Sequence, residues 1–414
     1  MRIAIVGAGI AGLTAARLLH GRGEITLFEA AGYLGGHANT IRVDTPNETH
    51  HVDTGFIVFN DRNYPNFERL LRGLAVEWQP SEMSFSVSDA DGAFEYSSSS
   101  PNALFANRRH LVTPAFHRMV GDLWRFQRAA RVLLEGTDDR LSMRDWLEQQ
   151  RFSSEFIDRL IVPQVSAVWS ADPRQLWSFP ARFLAEFFDN HGMLGFRRRP
   201  RWRAIAGGSA RYVEALTAPF GHRIRLRAPV RAISRADDHV LVSVGGAEPM
   251  RFDHVVLATH SDQALVLLAD ASQREREILS AIPYQSNEAV LHTDVRLLPR
   301  RRRAWASWNY HLFDEPPGRT TVTYHMNRLQ SLSAEREFCV TLNQTARIDP
   351  DTVIKRIEYA HPVYTPGGVR AQARVAEISG WRRTHFCGAY WGWGFHEDGV
   401  RSALRVGAAF GARL

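Results

Sequence analysis

The opening segment of the chain constrains its fold more than any other part of the sequence. Residues 2–6 form an apolar, β-branched run, which predicts a buried parallel strand. Gly7, Gly9 and Gly12 follow at GxGxxG spacing and precede an amphipathic helix. At this spacing the first glycine allows a tight turn, the second lets the backbone approach a pyrophosphate, and the third lets the helix pack closely on the strand. The segment therefore predicts a strand–turn–helix unit whose helix N-terminus binds phosphate groups.

An acidic residue and a second pair of glycines extend this pattern. A second predicted strand, Glu24–Phe28, leads into Glu29, which stands twenty residues beyond Gly9. At that distance the carboxylate is placed to accept hydrogen bonds from adenosine ribose hydroxyls, so we predict a dinucleotide site. Gly35 and Gly36 follow where a nicotinamide-binding domain normally enters another βα unit. Flavin-binding folds return a loop and a strand over the cofactor at this point, so the glycine pair favours FAD.

Length and composition indicate a globular protein of two domains. At 414 residues the chain is too long for one ordinary core, and it is 44% hydrophobic and 23% charged. No apolar run approaches the roughly 20 residues that a membrane-spanning helix needs. The first strand also begins too early for a signal peptide. Cys339 and Cys387 are the only cysteines and lie far apart, which is typical of a reducing compartment, so we expect a cytoplasmic location.

The positive charge of the chain is almost entirely arginine. The net charge is +7, and Lys355 is the only lysine. Residues 196–203 and 299–308 interleave arginine with tryptophan, a pattern that suits anionic lipid headgroups or nucleic acid and also occurs in solvated loops. The sequence has no zinc-ligand spacing, RNP motif or helix-turn-helix pattern, so no nucleic-acid partner is expected. Peripheral contact with a membrane surface is the better binding interpretation, and no pattern indicates an oligomeric state.

Several local patterns predict particular elements. Residues 61–80 read as a helix that ends near Pro80, and residues 84–97 as a short hairpin. A helical block follows, in which a further helix is expected to end at Pro163. One helix of this block carries an apolar face formed by Phe116, Met119, Val120, Leu123, Trp124 and Gln127.

Changes in periodicity divide the chain into two discontinuous domains. We predict an FAD-binding domain formed by residues 1–80, 204–265 and 380–414. Residues 81–203 and 266–379 are predicted to form the substrate domain, the second of these as an antiparallel layer. The expected fold class is α/β, with a Rossmann-type FAD-binding domain and a discontinuous α+β substrate domain.

These motifs, in this order, resemble the flavin-containing amine oxidase superfamily, which also includes protoporphyrinogen oxidases and phytoene-type desaturases. The ending FCGAYWGWGFHEDG most resembles a bacterial subgroup of FAD/NAD-binding proteins. The resemblance implies that Gly7, Ala8, Gly9 and Gly12 hold the ADP moiety of FAD and that Glu29 contacts the ribose.

The resemblance also implies further cofactor contacts after the second glycine pair. Relatives follow Gly35 and Gly36 with an arginine that contacts the pyrophosphate, whereas this chain has His37, which keeps a donor but loses the planar fork and the permanent charge. The remaining implied contacts are Asp53, Thr54 and Gly55 beneath the flavin and the backbone of Val230 at the adenine edge.

The C-terminal segment resembles the motif that closes the cofactor site in this superfamily. Phe386, Cys387 and Gly388 match its first half, and Asp398, Gly399 and Ser402 match its second half. The resemblance implies a helix, beginning near Val400, whose N-terminus stabilises negative charge on the reduced flavin. Ala389 replaces the acid that holds the ribityl chain in relatives, which leaves that contact to His396 or Asp398.

Candidate catalytic residues follow from the same comparison. Many amine oxidases of the superfamily place a lysine opposite the flavin, but Lys355 lies outside the strand expected to carry it, near residues 287–294. Simple amine oxidation is therefore disfavoured. The candidates are Tyr390 and His396, with core packing and cofactor binding as their alternatives, and Asn309 and Tyr310, with a hydrogen-bonded turn as theirs. His260 is expected at the edge of the cofactor, with helix capping as its alternative.

The predicted function is FAD-dependent oxidation or desaturation of a hydrophobic substrate, a fatty acyl chain or a lipid. One alternative is an amine oxidase with a lysine-free site. Another is an FAD-dependent isomerase or a partner subunit without net redox chemistry. The histidines show no HExxH spacing, so no metal is predicted, and the absence of a GxSxG motif argues against hydrolysis.

Overall fold

The computed structural model describes residues 1–136, 141–169, 177, 180–195, 199–313 and 318–414. Its strands are β1 (Arg2–Val6), β2 (Glu24–Phe28), β3 (Thr40–Asp44), β4 (Thr49–Asp53), β5 (Val58–Asn60), β6 (Trp78–Pro80), β7 (Phe85–Ser88), β8 (Glu95–Ser97), β9 (Trp202–Ile205), β10 (Ile224–Arg225), β11 (Val230–Arg235), β12 (Val240–Val244), β13 (Met250–Phe252), β14 (His254–Leu257), β15 (Tyr284–His292), β16 (Trp308–His311), β17 (Val322–His325), β18 (Cys339–Leu342), β19 (Val353–Pro362) and β20 (Thr384–Phe386).

The helices surround these strands and form most of the block between β8 and β9. They are α1 (Ile10–Leu19), α2 (Pro65–Gly73), α3 (Pro101–Leu104), α4 (Pro114–Glu135), α5 (Met143–Gln149), α6 (Ser154–Phe156), α7 (Val162–Trp169), α8 (Ala181–Asn190), α9 (Ala210–Thr217), α10 (Ser261–Leu267), α11 (Gln273–Ser280), α12 (Met326–Leu329), α13 (Pro366–Gln372) and α14 (His396–Ala409). Among the described residues, none of the helices has both the length and the apolar character needed to cross a bilayer.

A five-stranded parallel sheet forms the first layer, with the order β10-β2-β1-β14-β20. Its central strand β1 buries Ile3, Ala4 and Ile5 completely, as the apolar run at the start of the chain predicts. Helices α1 and α14 pack against one face, and the antiparallel sheet β11-β12-β13 adjoins the other. This is the expected Rossmann-type layer, and its strands come from the three segments predicted to bind the cofactor.

A seven-stranded sheet forms the second layer, with the order β19-β15-β18-β17-β16-β7-β8. All its pairs are antiparallel except β16 with β7. One face carries apolar side chains such as Leu291, Tyr310 and Val340, which pack beneath the helical block. The opposite face carries buried polar side chains, among them His292, which hydrogen-bonds with Thr341 Oγ1, and Asn309, whose amide donates to the Thr323 and Ala306 carbonyl oxygens.

Two predicted elements end differently in the structure. The helix expected over residues 61–80 stops at Gly73, because Ala75 adopts a left-handed φ of 53° that no helix continues through. Residues Trp78–Pro80 form instead the edge strand β6, where a proline is tolerated because one side of the strand needs no donor. Pro163 does not end its helix either. It follows a π-helical turn, Ile157–Ile161, and lies in the first turn of α7, where its missing N–H is not needed.

The long helix α4 differs from its prediction in which side chains it buries. Phe116 and Met119 lie in the core as expected, but Trp124 is 56% exposed. Phe126, two residues later, occupies the core position and contacts Trp146 and Phe188. The face that packs on the helical block is therefore rotated from the one that the sequence predicts.

Candidate active site

The glycine loop between β1 and α1 is shaped by contacts that leave space at one position only. A Cβ added at Gly7, whose φ is +102°, would lie 2.8 Å from the Ala258 carbonyl oxygen. A Cβ at Gly12 would lie 1.9 Å from the Gly7 carbonyl oxygen. At Gly9 an added Cβ would meet nothing within 4 Å, and no side chain caps the helix there. The second glycine thus faces open space beside uncapped N–H groups, which suits a phosphate.

Glu29 lies at the edge of this loop. Its two carboxylate oxygens accept hydrogen bonds from the backbone N–H groups of Ala8 and Ala31, each at 2.8 Å. These bonds fix the carboxylate while each oxygen keeps a lone pair for a ribose hydroxyl. The Ala228 N–H donates to the Glu29 carbonyl oxygen, which brings the start of β11, including the buried Val230, alongside the predicted ribose contact.

The second glycine pair packs directly against the first loop. Gly35 and Gly36 have φ values of +110° and +60°, and a Cβ at Gly36 would lie 3.3 Å from the Gly9 Cα. His37 follows, and its ring stacks on Tyr359 with the centroids 4.7 Å apart. Burial, followed by three neighbouring histidines, lowers the pKa of His37 well below its usual value, so the ring is neutral. Its Nε2 atom has no hydrogen-bond partner in the described part of the chain, which leaves a polar group for a ligand.

The Asp53 carboxylate links separate elements through hydrogen bonds and is not open to a cofactor. Its buried carboxylate accepts hydrogen bonds from Thr40 Oγ1 at 2.6 Å and from the Ser209 N–H at 2.9 Å. The next residue, Thr54, shares a 2.9 Å hydrogen bond with the Tyr359 hydroxyl. At Gly55 an added Cβ would lie 2.3 Å from the His37 carbonyl oxygen, so this segment runs directly under the His37 loop.

The C-terminal helix α14 begins at His396, four residues before the predicted start. Asp398 explains the earlier start, because its Oδ2 accepts from the Trp393 and Phe395 N–H groups and caps the helix. Its Oδ1 accepts from Arg401 at 2.6 Å, so both oxygens of the predicted ribityl contact are already engaged. Burial raises the pKa of Asp398 to about 6.

Two glycines allow close packing of the C-terminal segment, Gly399 against α1 and Gly388 within the segment itself. A Cβ at Gly399 would lie 2.7 Å from Ile10 Cγ2, so α14 packs closely against the start of α1. A Cβ at Gly388 would lie 2.3 Å from the Tyr390 ring, and the Gly388 N–H donates to Ser402 Oγ at 2.9 Å. The N-termini of α1 and α14 therefore lie close together.

His396 is deeply packed at this point. Its ring stacks on Phe56 with the centroids 3.5 Å apart, and its Nε2 lies 2.9 Å from the Tyr212 hydroxyl. Burial lowers its pKa to about 3, so the ring stays neutral near pH 7. A neutral ring held in this way suits hydrogen bonding to a cofactor better than proton transfer at that pH.

The remaining catalytic candidates, Tyr390, Asn309 and Tyr310, are all buried in the fold. Tyr390 is 3% exposed and packs with Trp391 in the cluster on the β11 side of the parallel sheet. Asn309 is completely buried, with its amide bonded to Ala306, Ser86 and Thr323. Asn309 thus corresponds to the hydrogen-bonded alternative and leaves no group for a substrate. Tyr310 points to the opposite face of the sheet, into the aromatic core beneath the helices.

Sequence reasoning missed a histidine that the second sheet holds beside His37. His361 on β19 lies 5.2 Å from the His37 ring, edge to face. Asn343 Nδ2 donates to Asn287 Oδ1 at 2.8 Å, so the Asn287 amide nitrogen faces His361 Nδ1, 2.9 Å away. This chain of donors places the His361 proton on Nε2. The available signal was the alternation of Tyr359 and His361 on one face of a strand.

His37 and His361 are in ring contact, and His260 acts electrostatically on His37, so the three side chains lie near one another. Each is partly accessible, and burial lowers the pKa of all three, that of His361 to about 4. We call the accessible region beside them the cleft. His260 stacks on Tyr284 with the centroids 4.4 Å apart and is the N-cap residue of α10, which agrees with the helix-capping alternative.

A group of aromatic side chains, which we call the aromatic wall, continues from the cleft to the helical block. It joins α8 to the loop before α14: Phe187 lies 6.3 Å from Trp393 and 6.0 Å from Phe395, and Phe183 lies 6.0 Å from Tyr364. Lys355 is exposed on β19, opposite Leu291, and does not reach this wall. No lysine therefore faces the cleft.

The loops around Gly9 and His37 fit the diphosphate of a dinucleotide, and the second sheet covers the other end of the same cleft. This arrangement defines an FAD-dependent oxidoreductase. Residues 10–409 match the model of the flavin-containing amine oxidoreductase family. The chain belongs to this family.

Solved structures share the fold over nearly the whole chain. Cyclohexylamine oxidase from Brevibacterium oxydans IH-35A is 18% identical with a TM-score of 0.72, over 99% of this chain and 98% of that one. A fatty acid isomerase from P. acnes, described as CLA-producing, is 16% identical with a TM-score of 0.68, over 99% and 98%. A putative protoporphyrinogen oxidase from Exiguobacterium sp. 255-15 is 18% identical with a TM-score of 0.67, over 99% and 98%.

Proposed function

We propose that this protein uses FAD to oxidise or desaturate a hydrophobic substrate, a fatty acyl chain or another lipid. The aromatic wall is the observation that carries the proposal. It connects α8 with the loop before α14 through ring contacts of Phe183, Phe187, Tyr364, Trp393 and Phe395, and we assign the substrate's apolar part to this group. Side chains of this kind hold an alkyl chain by burying apolar surface, at about 25 cal/mol per Å².

Some residues of the site bind the cofactor or the substrate, and others orient groups by hydrogen bonding. When bound, FAD would supply the two-electron chemistry: a hydride would pass from one carbon–hydrogen bond of the substrate to the flavin, the neighbouring carbon would lose a proton to solvent, and the electrons would go on to a separate acceptor. The loops around Gly9 and His37 bind its phosphates, and the aromatic wall excludes water from the reacting end of the substrate. His361 holds a proton at Nε2 and donates it as a hydrogen bond into the cleft, since Asn287 occupies its other nitrogen.

The position of Lys355 supports carbon oxidation over the lysine-assisted oxidation of amines. It is the only lysine in the sequence, and the structure exposes it on the outer part of β19. The similarity to a fatty acid isomerase agrees with an acyl substrate. The similarity to cyclohexylamine oxidase favours a second candidate, oxidation of a hydrophobic amine in a lysine-free site.

Anaerobic reduction of the flavin distinguishes these functions. FAD-loaded protein is mixed in turn with palmitate, linoleate and cyclohexylamine while the visible flavin spectrum and the product mass are recorded. Bleaching by a fatty acid, with a product two hydrogens lighter, is the expected result. Bleaching by the amine alone overturns the proposal in favour of the second candidate. A linoleate product of unchanged mass identifies an isomerase, and no bleaching by either fatty acid contradicts the proposal.

A variant of the aromatic wall tests the binding site itself. Trp393→Ala is expected to raise the KM for the fatty acid about tenfold while FAD binding is unchanged, because it removes apolar contact area. Trp381→Ala is the matched control, since this tryptophan is 46% exposed and lies away from the wall. Equal effects of the two substitutions would contradict the assigned substrate path.

A further inference from the structure

A pocket opens at the surface where β15 begins and β19 ends. Residues 283–286 and 363–365 line it together with Arg319, and its volume is about 540 Å³. Pockets that hold small molecules have volumes of roughly 300–1,000 Å³, so this one is large enough for a ligand. Pro283 and Arg319 are exposed, which leaves the pocket open to solvent, and we call it the β15 pocket.

The inner side of the β15 pocket adjoins the cleft. Tyr284, one of the lining residues, stacks on His260 with the centroids 4.4 Å apart. Gln285, the next lining residue, is paired with His361 across β15 and β19. Paired residues of antiparallel strands place their side chains on the same face of the sheet. Two residues of the pocket are therefore direct neighbours of two histidines of the cleft.

A third lining residue joins the pocket to the aromatic wall. Tyr364 is buried, and its ring lies 6.0 Å from Phe183 of α8. A Cβ added at Gly394 would lie 2.6 Å from the Tyr364 hydroxyl, so Tyr364 also packs on the loop that carries Trp393 and Phe395. The β15 pocket thus lies between solvent and the aromatic wall.

Arg319 gives this pocket its charge. Among the described residues that line the pocket, it alone is charged. Its backbone is fixed by the next residue, because the Thr320 carbonyl oxygen accepts from Asn343 Nδ2 at 2.8 Å and Thr320 Oγ1 donates to the Ser166 carbonyl oxygen at 3.0 Å. Within the part of the chain that the structure describes, the Arg319 guanidinium has no hydrogen bond or ion pair. Its N–H donors are therefore free for the oxygens of an anionic ligand.

We propose that Arg319 binds the anionic head group of an acyl substrate, a carboxylate or a phosphate, at the mouth of the β15 pocket. The acyl chain passes Tyr284 and Tyr364 and reaches the aromatic wall. A guanidinium binds carboxylate and phosphate oxygens through paired hydrogen bonds, which a neutral or cationic head group cannot accept in the same way. The inference rests on the proposed function, because it specifies the polar end of the substrate whose chain the aromatic wall holds.

The composition of the pocket favours an amphiphile over a small free anion. Pro283, Val363 and the rings of Tyr284 and Tyr364 supply apolar surface beside a single cation. One exposed ion pair binds a free anion weakly, whereas an acyl chain adds the burial of apolar area. Glu358 does not neutralise the cation, because it accepts a hydrogen bond from Ser286 and forms no ion pair with Arg319.

The arginine–tryptophan clusters of the sequence lie apart from this pocket. The cluster at residues 299–308 contacts the other edge of the second sheet, because Arg301 pairs with Glu95 of β8, whereas β19 forms the edge beside the pocket. Arg303 of this cluster is exposed and therefore provides a matched control for Arg319. Of the other cluster, residues 196–198 lie outside the described residues.

Binding of four decyl compounds to the FAD-loaded, full-length protein tests the proposal. Decanoate, decyl phosphate, decanol and decylamine share one chain and differ in the head group. Equilibrium dialysis counts the bound compound whether or not the flavin is reduced. At least one of the two anions is expected to bind about fivefold more tightly than decanol and decylamine. The tighter anion shows whether the head group is a carboxylate or a phosphate. Binding of decanol or decylamine as tight as that of both anions overturns the proposal.

Variants separate the head group from the chain. Arg319→Gln should lower the affinity for the anions about fivefold and leave that for decanol unchanged, because it removes the charge and keeps a polar side chain. Arg303→Gln, which changes the net charge equally, should leave all four affinities unchanged. Trp393→Ala should weaken all four alike, because the chain reaches the aromatic wall. No loss in Arg319→Gln, or an equal loss in Arg303→Gln, overturns the role of Arg319. Native affinities in Trp393→Ala overturn the path of the chain.

These outcomes are distinct from those of the oxidation. Binding that depends on Arg319, without bleaching of the flavin by any acyl compound, supports the head-group site and contradicts the proposed oxidation. Bleaching by a fatty acid with the same KM in Arg319→Gln as in the native protein supports the oxidation and overturns the head-group site.

Discussion

Gln330 and Asp53 form a two-point contact between the second sheet and the cofactor side of the molecule. Gln330 Oε1 accepts from the Asp53 backbone N–H at 2.8 Å, and Gln330 Nε2 donates to Asp53 Oδ2 at 3.1 Å. The same carboxylate accepts from Ser209 at the start of α9. One buried acid thus joins three segments that are far apart in the chain. The pKa of its carboxyl group therefore depends on contacts that form only when the chain folds.

The first prediction concerns the pH dependence of stability. Burial raises the pKa of Asp53 to about 6, above the value near 3.9 of an unfolded chain. The folded protein therefore holds this proton more tightly, so the stabilisation is complete below about pH 4 and is lost as the pH rises through about 6. The loss is at most about 3 kcal/mol.

Unfolding by denaturant between pH 4 and pH 7 checks this prediction. The buried histidines, whose pKa values burial lowers, add stability as the pH rises in both proteins, so the sign of Asp53 shows only in the comparison. The free energy of unfolding of the native protein minus that of Asp53→Asn should become smaller as the pH rises through about 6. Asp398, whose pKa burial also raises to about 6, contributes a slope of the same sign in both proteins, so the difference between the two curves isolates Asp53. Parallel curves would show that the Asp53 pKa is not raised.

The second prediction contrasts two glycines of the cofactor loop. Gly12→Ala should destabilise the protein even without FAD, because its Cβ would lie 1.9 Å from the Gly7 carbonyl oxygen. Gly9→Ala should leave the apoprotein within about 1 kcal/mol of native stability, because its Cβ meets open space. It should nevertheless weaken FAD binding at least about tenfold by occupying the space of the pyrophosphate. Thermal melting of the apoproteins and FAD titration measure the two effects. Native FAD affinity in Gly9→Ala would place the phosphates elsewhere.

The third prediction concerns the hydrogen bond that orients His361. Asn287→Asp replaces a donor to Nδ1 by an anionic acceptor, which moves the proton to Nδ1 and raises the His361 pKa from about 4 by one to three units. The pH profile of flavin reduction should shift by a similar amount. Asn343→Ala, which removes only the outer member of the chain, should leave the profile near its native position. An unchanged profile in Asn287→Asp would remove His361 from the reaction.

The fourth prediction concerns the single lysine. Lys355 is exposed and lies on the strand beside the one that a family lysine would occupy. Lys355→Met should therefore leave the rate of flavin reduction within about twofold of native, as is usual for a surface change away from the site. Stopped-flow reduction with a bleaching substrate is the measurement. A loss of tenfold or more would mean that the lysine reaches the flavin and would reopen amine oxidation.

Much of the cofactor layer could be predicted because its signals are local. The strand bounds Arg2–Val6 and Glu24–Phe28 follow from runs of five residues, and the roles of Gly7 and Gly12 follow from spacing alone. The hairpin at residues 84–97 could be predicted for the same reason. In each case the residues that decide the structure are neighbours in the chain.

The candidate site was less predictable because its contacts are not local. Asn309 has a polar side chain of a kind that active sites use. Ser86, 223 positions away, donates a hydrogen bond to its amide oxygen and so engages it within the sheet. No motif in the sequence singled out His361. The position of its proton depends on a hydrogen bond with Asn287, 74 positions away. Hydrogen bonds between strands of one sheet decided both outcomes.

The sequence by itself determined the strand–turn–helix with its glycine spacing, the acid that follows the second strand and the single lysine, because spacing and composition are properties of the chain. Only the tertiary structure decided that Trp124 faces outward among arginines and that the buried Asp53 carboxylate joins separate segments by hydrogen bonds. An amphipathic helix shows its period in the sequence, but the side that is buried depends on the surface that it packs against. A carboxylate likewise gains its role from the donors that surround it, and folding alone brings those donors together.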